Sequence, residues 1–381
     1  MLRISRDFLF PLSVLFTLSM CLGCSDEPTS VGLGLLSSQD LLRLDTANLT
    51  PKTSTSILRR INTGQSTNLL IGQDDGYMAK ALLRFTSIPD SLKTASVLSA
   101  NLILRQSYRF DKSKNSISFS VYKMIQGWTE SGVTWDSVTT ASYENISRGS
   151  FSGAVADSDS IVVALDTTLV MNWLQVAGTE TIQGIILLPT GGGNTILVFH
   201  SFGSSGAPRL VVTYSKGGTH STITFDVGQD AHVANVENLT TNPQLLYIQA
   251  GVAYRSVLTF DLQGLPLHSG IHRATLELTR DTLNSRLDSQ TVDSLISFYL
   301  VTSDSVLGTS AVIGRRLDPN SNVYSITITS DVQRWINGRA NVGLQIEALA
   351  ETSNLGLFTF FSASADPTKR PRLKVLYSRL L

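Results

Sequence analysis

Residues 81–105 read ALLRFTSIPDSLKTASVLSANLILR, and 175 positions later residues 256–280 read SVLTFDLQGLPLHSGIHRATLELTR. In both stretches a block that ends in Phe precedes an Ile-Pro or Leu-Pro step. A segment in which apolar and polar residues alternate then follows, at 100–105 and at 274–280. Alternation with a period of two directs one set of side chains to a core and the other to solvent, which predicts β-strands.

The two stretches begin a longer repeat whose later parts match in the same order. The matched pairs are Asn172-Trp173 with Arg334-Trp335, Gly184-Ile185-Ile186 with Gly343-Leu344-Gln345, and Pro208-Arg209-Leu210 with Pro371-Arg372-Leu373. An ordered repeat over about 160 residues predicts two copies of one domain. We place the copies at 40–214 and 221–381, and a flexible linker at 215–220 because its composition is rich in Gly, Ser and Thr.

Many short alternating segments separated by turn residues predict an all-β fold. We expect two tandem antiparallel β-sandwich domains of jelly-roll type, each with one short helix. The helices are predicted around Trp173 and Trp335, and Ser330 with Gln333 has the spacing of a capping box. Both Trp residues are interpreted as plugs at one end of each sandwich.

The composition excludes several functions. Thirty basic and 30 acidic residues cancel, so the chain lacks the basic excess that binds nucleic acid. The glycines at 191–193 precede a predicted strand and not a helix, so no nucleotide site is expected. The sequence has no Gly-x-Ser-x-Gly motif and nothing else nominates a nucleophile, so we predict that the protein is not an enzyme.

The N-terminus has the pattern of a targeting segment. Two Arg residues precede an apolar run, and Cys21-Leu22-Gly23-Cys24 resembles the lipobox of bacterial lipoproteins. We predict a signal peptide at 1–23, a lipid on Cys24 and a tether at 24–39, with a secretory signal or an uncleaved anchor as alternatives. Asp26-Glu27 resembles the surface-export signal of Bacteroidota lipoproteins, and the segment that starts at Ser30 resembles the beginning of lipoproteins from the same phylum. The expected location is therefore the outer membrane, lipid-anchored and surface-exposed.

An ordered set of residues in the first copy comprises Leu83-Arg84-Phe85, residues 100–105, Trp128-Thr129-Glu130, Val133-Thr134-Trp135, Trp173, Gly184 and Pro208-Arg209-Leu210. This set resembles the DNRLRE-type domains, which are also classed as a carbohydrate-binding module family. The resemblance covers about 40–214 and, more weakly, 221–379. It implies jelly-roll-like modules of secreted and surface proteins, some of which are attached to alginate-degrading enzymes. The second copy lacks the Trp-Thr-Glu-x-x-Val-Thr-Trp motif.

Two candidate sites follow. A glycan site needs aromatic rings beside polar groups, and the candidates for it are Trp128, Glu130, Trp135, Tyr108, Arg105 and Tyr143. The alternative interpretation is that Trp128 and Trp135 form a buried structural corner. No cofactor is expected other than a structural calcium ion at Asp74 and Asp75, whose turn could supply carboxylate and carbonyl oxygens.

We therefore predict a non-catalytic cell-envelope lipoprotein that binds polysaccharide or cell-wall glycan. The alternative is a structural or adhesive spacer that has an envelope protein as its partner and binds no small ligand.

Overall fold

The computed structural model describes residues 43–110, 116–179, 181–191, 194–237, 241–288, 291, 293, 295–301 and 312–379. The predicted signal peptide, tether and lipidated Cys24 lie outside these residues. The strands of the described part are β1 (Arg43–Leu49), β2 (Pro51–Leu58), β3 (Asn68–Asp74), β4 (Tyr77–Arg84), β5 (Ser96–Arg109), β6 (Ile117–Met124), β7 (Tyr143–Gly153), β8 (Ser160–Ala164), β9 (Ile185–Pro189), β10 (Thr195–His200), β11 (Arg209–Lys216), β12 (Thr219–Asp226), β13 (Gln229–Val236), β14 (Leu245–Gln249), β15 (Tyr254–Phe260), β16 (Gly270–Thr279), β17 (Leu295–Leu300), β18 (Val312–Arg316), β19 (Val323–Thr327), β20 (Leu344–Glu347), β21 (Leu357–Phe361) and β22 (Arg372–Arg379). Its α-helices are α1 (Thr167–Val176) and α2 (Thr329–Ile336).

The strands form two antiparallel sheets of 11 strands, each curled into a sandwich. The first sandwich contains β3 to β13 in the order β12-β11-β5-β10-β3-β4-β9-β6-β7, with β13 on β4 and β8 on β5. The second sandwich contains β1, β2 and β14 to β22 in the order β1-β22-β16-β19-β18-β17-β20-β15-β14-β21, with β2 on β15. The prediction of an all-β fold with two sandwich-like halves is confirmed.

Each sandwich encloses its own apolar core, and one helix closes it. Leu102 and Leu104 of β5 point into the first core, and Leu276 and Leu278 of β16 point into the second, as the alternation predicts. Trp173 and Trp335 are both buried against these cores. No helix in the described ranges is long and apolar enough to cross a membrane.

The ends of the helices agree only in part with the prediction. Asp166 caps α1, because its carboxylate accepts a hydrogen bond from the Thr168 N–H at 2.9 Å. The capping box predicted for α2 is wrong: the N-cap is Ile328. Gln333 instead accepts from the Ile271 N–H and donates to the Ser269 carbonyl, which fastens α2 to the start of β16.

Strand pairing crosses the seam between the two sequence copies. The strands β12 and β13 follow that seam, yet they pair with β11 and β4 in the first sandwich. Reciprocally, β1 and β2 pair with β22 and β15 in the second sandwich. The first sandwich is thus the continuous stretch 68–236, inserted between β2 and β14 of the second.

The stretch that we predicted as a flexible linker is the turn of the β11–β12 hairpin. Gly217 and Gly218 have φ angles of +58° and +79°, as a two-residue type I′ turn requires at both positions. Gly-Gly suits flexible linkers and type I′ turns equally, so composition could not distinguish them. The boundaries 40–214 and 221–381 therefore describe the sequence repeat, whereas the sandwiches follow the pairing.

The exchange is physically possible because the repeat gives both sandwiches the same free strand edges. β4 and β15 occupy equivalent places in the repeat, and so do β11 and β22. Gln229 pairs with Arg84 on β4, and Thr53 pairs with Thr259 on β15. A strand pair from either copy can therefore complete either sandwich, and a sequence pattern cannot say which.

The two sandwiches pack against each other through an apolar cluster. Tyr77 and Phe110 of the first sandwich contact Val252 and Leu355 of the second, and all four residues are buried. Arg286 of the second sandwich lies over both rings, 4.8 and 5.0 Å from their centres. Together with the exchanged strands, this interface fixes the orientation of the two halves.

Candidate functional site

A loop covers the outer face of the first sandwich. Residues 125–142, which we call the lid, connect β6 to β7 and contain the Trp-Thr-Glu motif. Ala81 and Leu83 of β4 face the core, and Leu82 faces the lid. The apolar cluster between the lid and the sheet consists of Trp128, Val133 and Val138 of the lid together with Leu82, Met124, Ile186, Ala231 and Val233. Burial of these side chains provides the apolar driving force that holds the lid down.

Glu130 braces the lid from its underside. Its Oε1 accepts a hydrogen bond from the Asp230 N–H at 2.8 Å. The Asn62 side chain donates to the carbonyls of Glu130 and of Val133, the latter at 2.9 Å. Because its carboxylate is already engaged with the protein backbone, the position of Glu130 fits the structural interpretation of the motif.

Trp135 rests on top of β4, beside the cavity described below and not in its lining. The Lys80 ammonium lies 4.0 Å from the centre of the Trp135 ring, a distance that allows a cation–π contact. The neighbouring Asp136 forms an ion pair with Arg60 at 3.0 Å. These contacts anchor the far end of the lid.

Trp128 and Arg84 form the centre of the site. The indole Nε1 of Trp128 donates to the Gln183 carbonyl at 2.9 Å, and the Arg84 guanidinium lies 4.6 Å from the indole ring centre. Arg84 donates to the Trp128 carbonyl at 2.6 Å, to Gln183 Oε1 at 3.0 Å and to Gln229 Oε1 at 2.8 Å. None of these acceptors is a carboxylate.

Arg84 is therefore a largely buried cation that forms no direct ion pair with any residue that the structure describes. Burial lowers the pKa of Arg84, and the charge of Glu130 partly offsets that effect. An arginine nevertheless stays protonated in proteins. Its Nε–H has no hydrogen-bond partner among the residues that the structure describes. The Nε atom is also shielded from solvent. Nη1 makes one hydrogen bond, to Gln229, and its second N–H is the donor that remains for an incoming oxygen atom.

A cavity of about 460 Å³ opens beside these two residues, under one side of the lid. Met124, Val133 and Val138 supply apolar surface, and Trp128 and Arg84 line it too. The polar or small lining residues are Gln126, Gly127, Thr129, Gly132, Ser137, Ser142, Thr181 and Gln183. An apolar floor with a few convergent polar groups is typical of small-molecule sites, and it suits a sugar, which has both C–H and hydroxyl surfaces.

The six residues predicted for the glycan site do not form one group. Trp128 lines the cavity, whereas Glu130 and Trp135 belong to the rest of the lid. Tyr143 packs on Tyr122 at a ring distance of 5.5 Å, at the margin of the cluster under the lid.

Two of the six residues predicted for the glycan site lie on β5, outside the lining of the cavity. Tyr108 donates to the Ser353 carbonyl at 3.2 Å, at the interface between the sandwiches. Arg105 is exposed on β5. Sequence reasoning missed Arg84, Gln126 and Gln183 as members of a site. The available signal was Arg84 itself, a charged residue within the apolar block 81–85.

The Asp74-Asp75 turn joins β3 to β4. Asp74 forms an ion pair with Arg286 of the second sandwich, while the Asp75 side chain is exposed and its φ is +44°. No group of three or more His, Cys, Asp or Glu residues suited to a metal ion occurs in the part of the chain that the structure describes. The calcium site stays a prediction, and an ion there would have to compete with Arg286.

The equivalent face of the second sandwich is polar. The repeat aligns Ile186 with Gln345 and Leu188 with Glu347. Gln345 donates to Glu347, and Glu347 pairs with Arg255 at 3.2 Å. The copy whose sequence lacks the Trp-Thr-Glu motif thus has hydrophilic residues where the first copy has the apolar seat of the lid.

One comparison with known proteins matches the part of the chain that contains this site. Residues 49–214 match the model of carbohydrate-binding module family 96. The matched range is less than half of the chain, contains the whole lid and ends before β12. The part of the chain with the lid and all lining residues of the cavity thus has the sequence pattern of a carbohydrate-binding module, a class of protein that binds and does not catalyse.

Two solved structures show weak similarity to the chain. A protein from Parabacteroides distasonis ATCC 8503 has 12% identity, with 89% of both chains covered and a TM-score of 0.18. The infectious bursal disease virus VP2 subviral particle has 13% identity, with 89% of this chain and 77% of that chain covered and a TM-score of 0.12. Both scores are too low to indicate a shared fold. No curated protein matches the chain.

Proposed function

We propose that the protein is a non-catalytic cell-envelope lipoprotein that binds polysaccharide through the cavity beside Trp128 and Arg84. The observation that carries this proposal is the cavity itself. An apolar floor, a polar rim and a buried cation, which has no ion pair within the described part of the chain, lie together in the range that matches a carbohydrate-binding module. The proposed ligands include cell-wall glycans.

The residues of the cavity have complementary roles in this proposal. A sugar presents its C–H face to Trp128, Val133 and Met124, where burial of apolar surface contributes to affinity. Its hydroxyl or carboxylate oxygens accept hydrogen bonds from Arg84, and Thr129 at the rim can donate or accept. Charge-assisted hydrogen bonds from a guanidinium are stronger than neutral ones, so Arg84 provides the main polar contribution.

Two matched tryptophan substitutions test the site. The full chain in mild detergent is run by affinity electrophoresis through gels that contain alginate, polygalacturonate, xylan or laminarin. We expect at least one polymer to retard it. Trp128→Phe should weaken that retardation by about tenfold or more, equivalent to about 1.4 kcal/mol, because the cavity loses ring surface and the bond to Gln183.

Trp135→Phe is the control, since Trp135 belongs to the lid and not to the lining of the cavity. Equal losses in the two variants would indicate that only the fold of the lid matters. No retardation of the unsubstituted chain by any of the four polymers would count against the proposal and favour a spacer role with a protein partner.

The envelope part of the proposal rests on Cys24. The anchor would be the lipid on this residue, followed by the polar segment that starts at Ser25. Cys24→Ser should move the protein from the membrane fraction to the soluble fraction or leave it unprocessed, whereas Cys21→Ser should not, since Cys21 is removed with the signal peptide. A membrane-bound, normally processed Cys24→Ser protein would contradict lipid anchoring.

A further inference from the structure

A second cavity lies on the other side of Arg84. Its volume is about 420 Å³, and Phe85, Ile88 and Ala177 give it an apolar wall. Its polar and remaining lining residues are Thr86, Gly178, Thr179, Thr181, Ile182 and Gln229. Arg84 and Thr181 line both cavities, so the two are direct neighbours.

The boundary between the cavities is a row of three polar side chains. Arg84 donates from Nη1 to Gln229 Oε1 and from Nη2 to Gln183 Oε1, at 2.8 and 3.0 Å. An amide that accepts through its oxygen still has two N–H donors. Gln183 lines the first cavity and Gln229 lines the second. The Gln183 amide uses one of its N–H groups on the Thr181 carbonyl at 3.5 Å, so one donor remains on that side of the boundary.

Both cavities have exposed residues in their lining. The rim of the first includes Gly127 and Thr129, and the rim of the second includes Thr86 and Thr179, and all four residues are exposed. Each volume lies within the range of roughly 300–1,000 Å³ that small-molecule sites occupy. A chain that filled both cavities could leave the protein at either end.

We propose that the two cavities form one trough, which holds an internal segment of a linear polysaccharide with Arg84 at its middle. This proposal rests on the proposed function, and it adds that the ligand is an extended chain gripped away from its ends. A pocket closed at one side would instead select a chain terminus.

The trough is completed by the start of the second sequence copy. Gln229 is the first residue of β13, and Asp230, the next residue, holds Glu130 of the lid through its N–H. The range that matches the family model ends at residue 214 and contains neither of them. Strand exchange thus supplies one wall of the trough, so the test requires the full chain.

Three matched substitutions place a Trp in the first cavity, in the second or outside both: Thr129→Trp, Thr179→Trp and the control Thr224→Trp on the exposed side of β12. Binding is measured by calorimetry with oligosaccharides of two to eight sugar units prepared from the same four polymers, with both chain ends either free or chemically blocked. Circular dichroism verifies that each variant is folded.

For the control we expect affinity to increase at least tenfold from the shortest to the longest oligosaccharide, and blocked ends to leave it unchanged. Thr179→Trp should abolish the increase with length but keep the affinity for the shortest ligands. Thr129→Trp should weaken binding of all lengths.

The possible failures are distinguishable. If Thr179→Trp retains the full increase with length while Thr129→Trp loses binding, only the first cavity binds and the trough is refuted, but the proposed function stands. If blocking the chain ends abolishes binding, the site selects a terminus and the trough is again refuted. If both Trp variants bind as the control does, the proposed function fails as well.

Discussion

Replacement of Ile186 by Gln should destabilise the first sandwich severely. Ile186 is fully buried on β9 and contacts the apolar cluster beneath the lid. The second copy has Gln345 at the equivalent position, so the substitution introduces the residue type that the repeat itself tolerates elsewhere. The loss of stability therefore depends on the contacts between residue 186 and the lid, and not on a general requirement of the strand.

The magnitude follows from two contributions. Loss of a buried Ile side chain costs about 1.5–3 kcal/mol. An amide buried without partners under Trp128 and Val133 costs about 1–3 kcal/mol more. We expect the free energy of unfolding to fall by about 2.5–6 kcal/mol in total. The assay is urea denaturation followed by far-UV circular dichroism, with the change read from the transition midpoint at a common slope.

Gln345→Ile is the matched control. Gln345 donates to Glu347, which retains its ion pair with Arg255. We expect a change of less than about 1.5 kcal/mol, the net value of a typical hydrogen bond. A loss below about 1 kcal/mol for Ile186→Gln, or equal losses for the two variants, would refute the conclusion that Ile186 helps to hold the lid on the first sandwich.

Three further predictions concern other parts of the molecule. Burial raises the pKa of Asp230 to about 6 from 3.8, so the ionised carboxylate opposes folding above pH 6 by about 3 kcal/mol, and this penalty disappears as the pH falls from 6 to 4. Asp230→Asn should remove that part of the pH dependence of the free energy of unfolding, and an unaltered pH dependence would contradict the raised pKa. The double variant Thr53→Cys and Thr259→Cys, in a chain that starts at Ser25, should form a disulfide within one chain because the two residues are directly paired across β2 and β15. Disulfide-linked dimers or free thiols would contradict the strand exchange between the two sandwiches. Arg286→Ala should lower the free energy of unfolding by about 1.5–3 kcal/mol through the lost bond to Asp74, and the two sandwiches should then unfold in separate calorimetric transitions. A single unshifted transition would show that this ion pair does not couple them.

The local elements of the fold could be predicted because they depend on neighbouring residues. Alternation at 100–105 is found in β5, and the apolar face around Trp173 is found in α1. The strand exchange could not be predicted, because β4 and β15 offer equivalent edges to either strand pair. The choice between them depends on the packing of the two sandwiches, which involves residues distant in sequence, such as Tyr77 and Leu355.

The candidate site was predicted only in part for the same reason. Trp128 was identified because it belongs to a local motif. Arg84 gains its role from Gln183 and Gln229, which are 99 and 145 positions away along the chain. Tyr108 and Arg105 lie three positions apart on β5, but Tyr108 bonds to Ser353 of the second sandwich and Arg105 is exposed.

Hydrogen–deuterium exchange of the full chain, with and without a retarding polysaccharide, tests most directly where the glycan is held. The account predicts slower exchange at residues 126–142 and 181–183, and no change in β16 or β22 of the second sandwich. Protection confined to the second sandwich, or spread evenly over both, would show that the cavity beside Trp128 and Arg84 is not the binding site.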